Sequence, residues 1–163
     1  MKHLIKATLL LLALLLPTHT HAHDFEVDGI YYNINGTNAT VTFRGTYFYQ
    51  YSNAYSGSVT IPTTVTYGDT TYSVTSIGSG AFRNCSSLND VYCYATTPPE
   101  CIYDVDFYTT FTNYSVTLHV PAASLAAYKT APEWSKFKNI VGDAIAPTGI
   151  AISRDSVEIQ SGE

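Results

Sequence analysis

The sequence predicts a mainly β fold with short helices, built as a short solenoid between two caps. Three observations carry that expectation. In Ile77–Pro99, Phe82, Cys85, Leu88 and Val91 recur every third residue, a spacing of neither strand nor ordinary helix. In Asp24–Phe43, apolar residues alternate between Asp-Gly and Asn-Gly turns. In Ser124–Phe137, Leu125, Tyr128, Ala131, Trp134 and Phe137 follow three-residue steps broken by Pro132. The first stretch reads as one coil: a helical turn at Ala81 and Phe82, a bend at Cys85 and Leu88, and a short strand with Val91 and Cys93 inward. One coil cannot bury its own apolar edge, so the flanking segments are expected to stack on it.

Within that stretch, Leu88-x-x-Val91-x-Cys93-x-x-Thr96 fits the leucine-rich-repeat pattern L-x-x-L-x-L-x-x-N, with Thr96 at the Asn position. Ile77, Gly78, Ala81, Phe82, Cys85, Leu88 and Val91 also resemble the I-G-x-x-A-F-x-x-C-x-x-L-x-x-V unit of the BspA-like bacterial surface leucine-rich-repeat family. The resemblance extends over about residues 24–145, with one full unit. It implies a short leucine-rich-repeat solenoid with an N-terminal β-meander cap and a C-terminal helical cap. It also implies adhesion to host matrix proteins or to bacterial surfaces.

The 163 residues fit one domain, with 23–141 as its body. Residues 1–22 read as a secretory signal: Lys2 and Lys6 precede the apolar run Leu9–Leu16, with Thr20 and Ala22 at the cleavage site. A membrane anchor is the alternative, but that run is too short to span a bilayer. The expected chain is therefore secreted or cell-surface, without membrane insertion after signal removal. Only 13% of residues are charged and 13% are aromatic, with 14 Tyr. That suits an exported β-rich protein with a hydroxyl-bearing surface. The net charge of −5 argues against nucleic acid as a partner, because phosphate contacts need clustered Lys and Arg.

In chain order, Phe25 and Val27 lead into the Asp28-Gly29 turn, Ile30–Ile34 form a second strand, and Ala39, Val41 and Phe43 a third after Asn35-Gly36. Tyr47, Tyr49, Tyr51 and Tyr55 read as strand then loop. Val59 and Ile61 form a short strand, and Val65–Tyr67 with Thr71–Val74 a hairpin about Gly68-Asp69. Val116, Leu118 and Val120 alternate as a further strand stopped by Pro121. Two short helices are expected, one from Ala122 or Ala123 and one from Pro132. Residues 142–147 read as a linker. Residues 148–163 resemble the opening strands of a bacterial Ig-like domain of the second group, too short to close a sandwich; the alternative is a tail strand added to the domain.

Catalytic chemistry finds little support. Beyond residue 22 the histidines are His23 and His119, and neither sits in a nucleophile motif. No cofactor is expected. His19, His21 and His23 alternate as a metal site would, but two of them lie in the leader. Asp104 and Asp106 read as a solvated acidic loop, far from a calcium cage. Cys85 and Cys93 fall at inward positions; Cys93 and Cys101 flank the Pro98-Pro99 turn and either pair or pack as thiols. Sequons at Asn35, Asn38, Asn84 and Asn113, and Asp-Ser/Thr motifs at Asp69 and Asp155, follow from a Ser/Thr-rich composition or mark glycosylation.

The candidate partner-binding face follows from strand alternation. With Val59, Ile61, Val91, Cys93, Leu118 and Val120 inward, the outward set is Ser58, Thr60, Tyr92, Tyr94, Thr117 and His119, with Asp90 beside them. Tyrosine suits interfaces because it couples apolar area with a hydroxyl; the same residues also suit a solvent-facing sheet held by cross-strand pairs. A protein ligand is the first expectation. A carbohydrate-binding module, with Tyr92 and Tyr94 stacking sugars, and a structural spacer without its own ligand are the alternatives.

Overall fold

The computed structural model describes residues 23–45, 53–102 and 116–146. Their strands are β1 Phe25–Val27, β2 Ile30–Asn35, β3 Asn38–Thr42, β4 Gly57–Ile61, β5 Thr64–Tyr67, β6 Thr70–Ile77, β7 Leu88–Cys93, β8 Glu100–Cys101, β9 Thr117–His119 and β10 Asn139–Val141. One helix, α1 Leu125–Thr130, is flanked by 3-10 turns at Ala122–Ser124 and Trp134–Lys136.

The strands form two sheets. The first is mixed, in the order β1-β2-β3-β6-β5, with β8 also pairing β6. Its hairpins follow from local chemistry. Asp28 and Gly29 both take positive φ, 51° and 77°, the geometry of the two-residue turns that match strand twist. β3 and β6, distant in sequence, run parallel through Ala39↔Val74 and Val41↔Ile77. The two outer strands come together: the rings of Phe25 on β1 and Tyr67 on β5 stack at 4.6 Å. The sheet is thus nearly closed and barrel-like. The second sheet is all parallel, in the order β10-β9-β7-β4.

The leucine-rich-repeat solenoid expected from the sequence is not the fold. A solenoid coil returns to the same sheet on every turn. Here Ile77 closes β6 in the mixed sheet and Leu88 opens β7 in the parallel one, so residues 78–87 are a crossover between sheets. The three-residue recurrence has a local cause. The crossover is a run of turns closed by bonds from Ala81 N–H to Gly78 O, Arg83 to Gly80, Cys85 to Phe82 and Leu88 to Cys85. Such i→i−3 bonds place every third side chain on one side. Ala81, Phe82 and Cys85 are fully buried there. The N-terminal meander is likewise not a cap: β1, β2 and β3 are half of the mixed sheet.

At the C-terminal end the expected pair of helices is one 3-10 turn running into α1, followed by a second 3-10 turn two residues after Pro132. They clamp the Pro98-Pro99 segment. The Trp134 indole donates to Pro99 O at 2.8 Å and the Tyr128 hydroxyl donates to Ala95 O at 2.8 Å. Trp134 packs edge-on against Tyr128 and parallel to Phe137. Residues 142–146 then cross the C-terminal ends of the parallel strands, with Ala144 N–H bonded to Val120 O at 3.0 Å. The proposed leader, Tyr47, Tyr49, Tyr51, Asp104, Asp106, Asn113 and the Ig-like stretch 148–163 lie outside the described residues. Among the described residues no helix is long and apolar enough to cross a membrane.

Candidate functional site

The parallel sheet has one inward and one outward face. Val59, Ile61, Val91, Cys93, Leu118 and Val120 are all at most 5% exposed on the inner side. The pairing register lines up the alternates in two rows. Ser58, Asp90, Thr117 and Asn139 form one, and Thr60, Tyr92, His119 and Val141 the other. Tyr94 lies just beyond β7, its N–H bonded to Ile61 O at 3.1 Å. Six of the seven residues singled out from the sequence therefore stand in two adjacent rows, and Tyr94 continues the second-row side of the same strand.

The rows are cross-linked by side chains. The Tyr92 and His119 rings stack at 4.3 Å, 13° from parallel. His119 Nε2 faces Asp90 Oδ1 at 3.3 Å and its Nδ1 faces Asp143 Oδ1 at 2.7 Å. An imidazole donates to both carboxylates at once only when both nitrogens carry protons. Ser58 Oγ donates to the other Asp90 oxygen at 3.4 Å, and Asn139 Nδ2 donates to Thr117 Oγ1 at 3.0 Å. Ser58 meets a carboxylate and not a ring nitrogen, so a serine hydroxyl is not aligned with an imidazole base.

Asp143 and Asn139 were missed from sequence. Their contacts depend on β10 pairing parallel to β9 at Asn139↔Thr117 and Val141↔His119, a non-local event. No local pattern signals it, and Asp143 reads as linker.

Three cysteines lie among the described residues. Cys85, Cys93 and Cys101 are free thiols, so the Cys93–Cys101 pairing is not formed. Burial pushes all three thiols up, Cys101 to about 12 with Glu133 adding to the effect. Neutral, buried thiols are poor nucleophiles and poor metal ligands. The Tyr128 hydroxyl, also raised by burial, contacts Cys93 Sγ at 3.2 Å. Among the described residues no group of three or more His, Cys, Asp or Glu is placed to hold a metal ion.

Comparison of the chain with protein-family models, with curated proteins and with solved structures returns no match.

Proposed function

We propose that this protein is an exported, non-enzymatic binding module whose partner is a protein on a host matrix or bacterial surface, engaged by the outward face of the parallel sheet. One observation carries the reading. Parallel sheets are ordinarily covered on both faces, yet no strand or helix among the described residues covers the outer face of this one, where Ser58, Thr60 and Asn139 are exposed and Asp90, Tyr92, Thr117 and His119 half-buried along two rows. Stacked and hydrogen-bonded side chains lose little further entropy on binding, which favours affinity. The leader-like residues 1–22, and the resemblance of residues 77–91 to a bacterial surface family, support export and a surface partner.

A protein ligand is favoured over a sugar by the state of the polar groups. One face of the Tyr92 ring is taken by His119, and both Asp90 oxygens are already engaged. A sugar would have to displace these contacts, whereas a protein surface can pack over the ordered rows. The test is a binding screen of residues 23–146 against purified matrix and bacterial surface proteins and a glycan panel. A Tyr92→Ala/Tyr94→Ala variant, checked for folding by circular dichroism, runs beside it. Binding of a protein that the variant loses supports the reading. Binding of a glycan alone, or equal binding by the variant, refutes it.

A further inference from the structure

Among the described residues β4 is the outer strand of the parallel sheet, with no strand paired to its second side. Gly57 N–H bonds Ser87 O at 2.7 Å and Ile61 O accepts from Tyr94 N–H at 3.1 Å, so Gly57, Val59 and Ile61 turn their main-chain groups to β7. By alternation, Ser58 and Thr60 turn their N–H and C=O groups away, to the edge. Both residues are exposed, and β4 has no second partner strand among the described residues.

A cavity of about 800 Å³ lies against that edge. Its walls include the consecutive residues Ser58, Val59 and Thr60, which point to opposite faces of the sheet, so the cavity abuts the backbone edge itself. Its lining also includes Pro62, Thr63–Thr66 of the β4–β5 connection and β5, and Val27–Ile30 of the β1–β2 turn. The size is that of ligand pockets, ~300–1,000 Å³. The lining is hydroxyl and apolar, and Asp28 is its one charged residue among the described ones.

From these features we infer that the cavity binds an extended peptide segment of a partner protein, which adds as a strand to Ser58 and Thr60 of β4. Main-chain hydrogen bonds supply the affinity and alternate side chains the selectivity, the mode of edge-strand addition. The lining fits a segment of uncharged small apolar and hydroxyl residues with a basic residue toward Asp28. An acidic segment is disfavoured by Asp28 and by the chain's net charge of −5. The inference rests on the binding reading above for the existence of a partner, and differs from it in using the edge of the sheet instead of its face.

The test uses a blocked hexapeptide of alternating threonine and valine carrying one lysine at its end, titrated into the full chain. Amide exchange at Ser58 and Thr60 and fluorescence anisotropy are the readouts. The expected result is saturable binding that slows exchange at both amides. Thr60→Pro, which removes an edge-facing N–H and leaves the β7 ladder, weakens binding by ~10-fold or more. A backbone N-methylated peptide loses binding in the same way and needs no altered protein. No binding by the full chain, equal binding of the N-methylated peptide, or binding that appears only when residues 147–163 are deleted would overturn the inference; the last would give the edge to the chain's own C-terminal segment. This assay reads the edge alone, so it can fail while the screen for the outward face succeeds, and the reverse.

Discussion

The mixed sheet and the parallel sheet solve opposite problems. In the mixed sheet large rings fill the interior. Tyr32 stacks on Phe25, Tyr55 packs on Phe82, and the buried Tyr55 hydroxyl donates to the Thr42 carbonyl. Its polar groups are spent on the fold. In the parallel sheet the strands turn Val59, Ile61, Val91, Cys93, Leu118 and Val120 inward, with Tyr128 set against Cys93, and polar side chains on the other face form a linked network. Both sheets bury their inward residues in one core, and the linked polar side chains stand on the outward face of the second. A substitution should therefore report which region it belongs to by whether it changes folding or binding.

The largest expected effect lies at the junction of the sheets. Phe82 is fully buried in the crossover and touches Tyr55 at 5.0 Å between ring centres. Phe82→Ala should destabilise by about 3–5 kcal/mol in urea unfolding, the usual result of deleting a buried ring. An unchanged midpoint would break the distinction at once. Next comes Tyr128→Phe, which strips the donor from the part-buried Ala95 carbonyl and should cost about 1 kcal/mol. Differential scanning of the variant checks it.

Alkaline pH sharpens the same contrast. Burial raises the Cys101 thiol from 9.0 to about 12, and raises the hydroxyls of Tyr32 and Tyr128 as well. Above the unfolded value the unfolded chain releases these protons while the folded chain keeps them. Stability from these groups is thus full below pH 9.0 and falls as pH rises toward about 12. Urea midpoints that stay level from pH 9 to 11 would contradict the buried, neutral assignment. The smallest stability effect belongs to the outward network. Asp143→Asn should change folding by less than about 1 kcal/mol, because the Asp143 carboxylate is 60% exposed and surface ion pairs are worth little.

Strand alternation was legible in the sequence because it is local. Val59 with Ile61, Val91 with Cys93, and Leu118 with Val120 each announce their inward side within five residues. The outward set follows from the same arithmetic. What could not be read was the order of the strands. The three-residue spacing from Phe82 to Leu88 has two physical sources, a solenoid coil and a run of i→i−3 turns, and residue spacing is the same for both. The parallel pairing of β3 with β6 decides between them, and it joins segments about thirty-five residues apart in sequence, a separation with no local signature. Asp143 escaped notice for the same reason: its partner His119 is reached only after β10 has paired with β9.

The account's central claim is that the outward face of the parallel sheet presents a binding surface without carrying the fold. The most direct measurement is the affinity of the Tyr92→Ala/Tyr94→Ala protein for a ligand captured by the native chain, taken with its thermal midpoint. The account predicts a fall of ~10-fold or more in affinity with a midpoint close to native. Native affinity in a fully folded variant would contradict it.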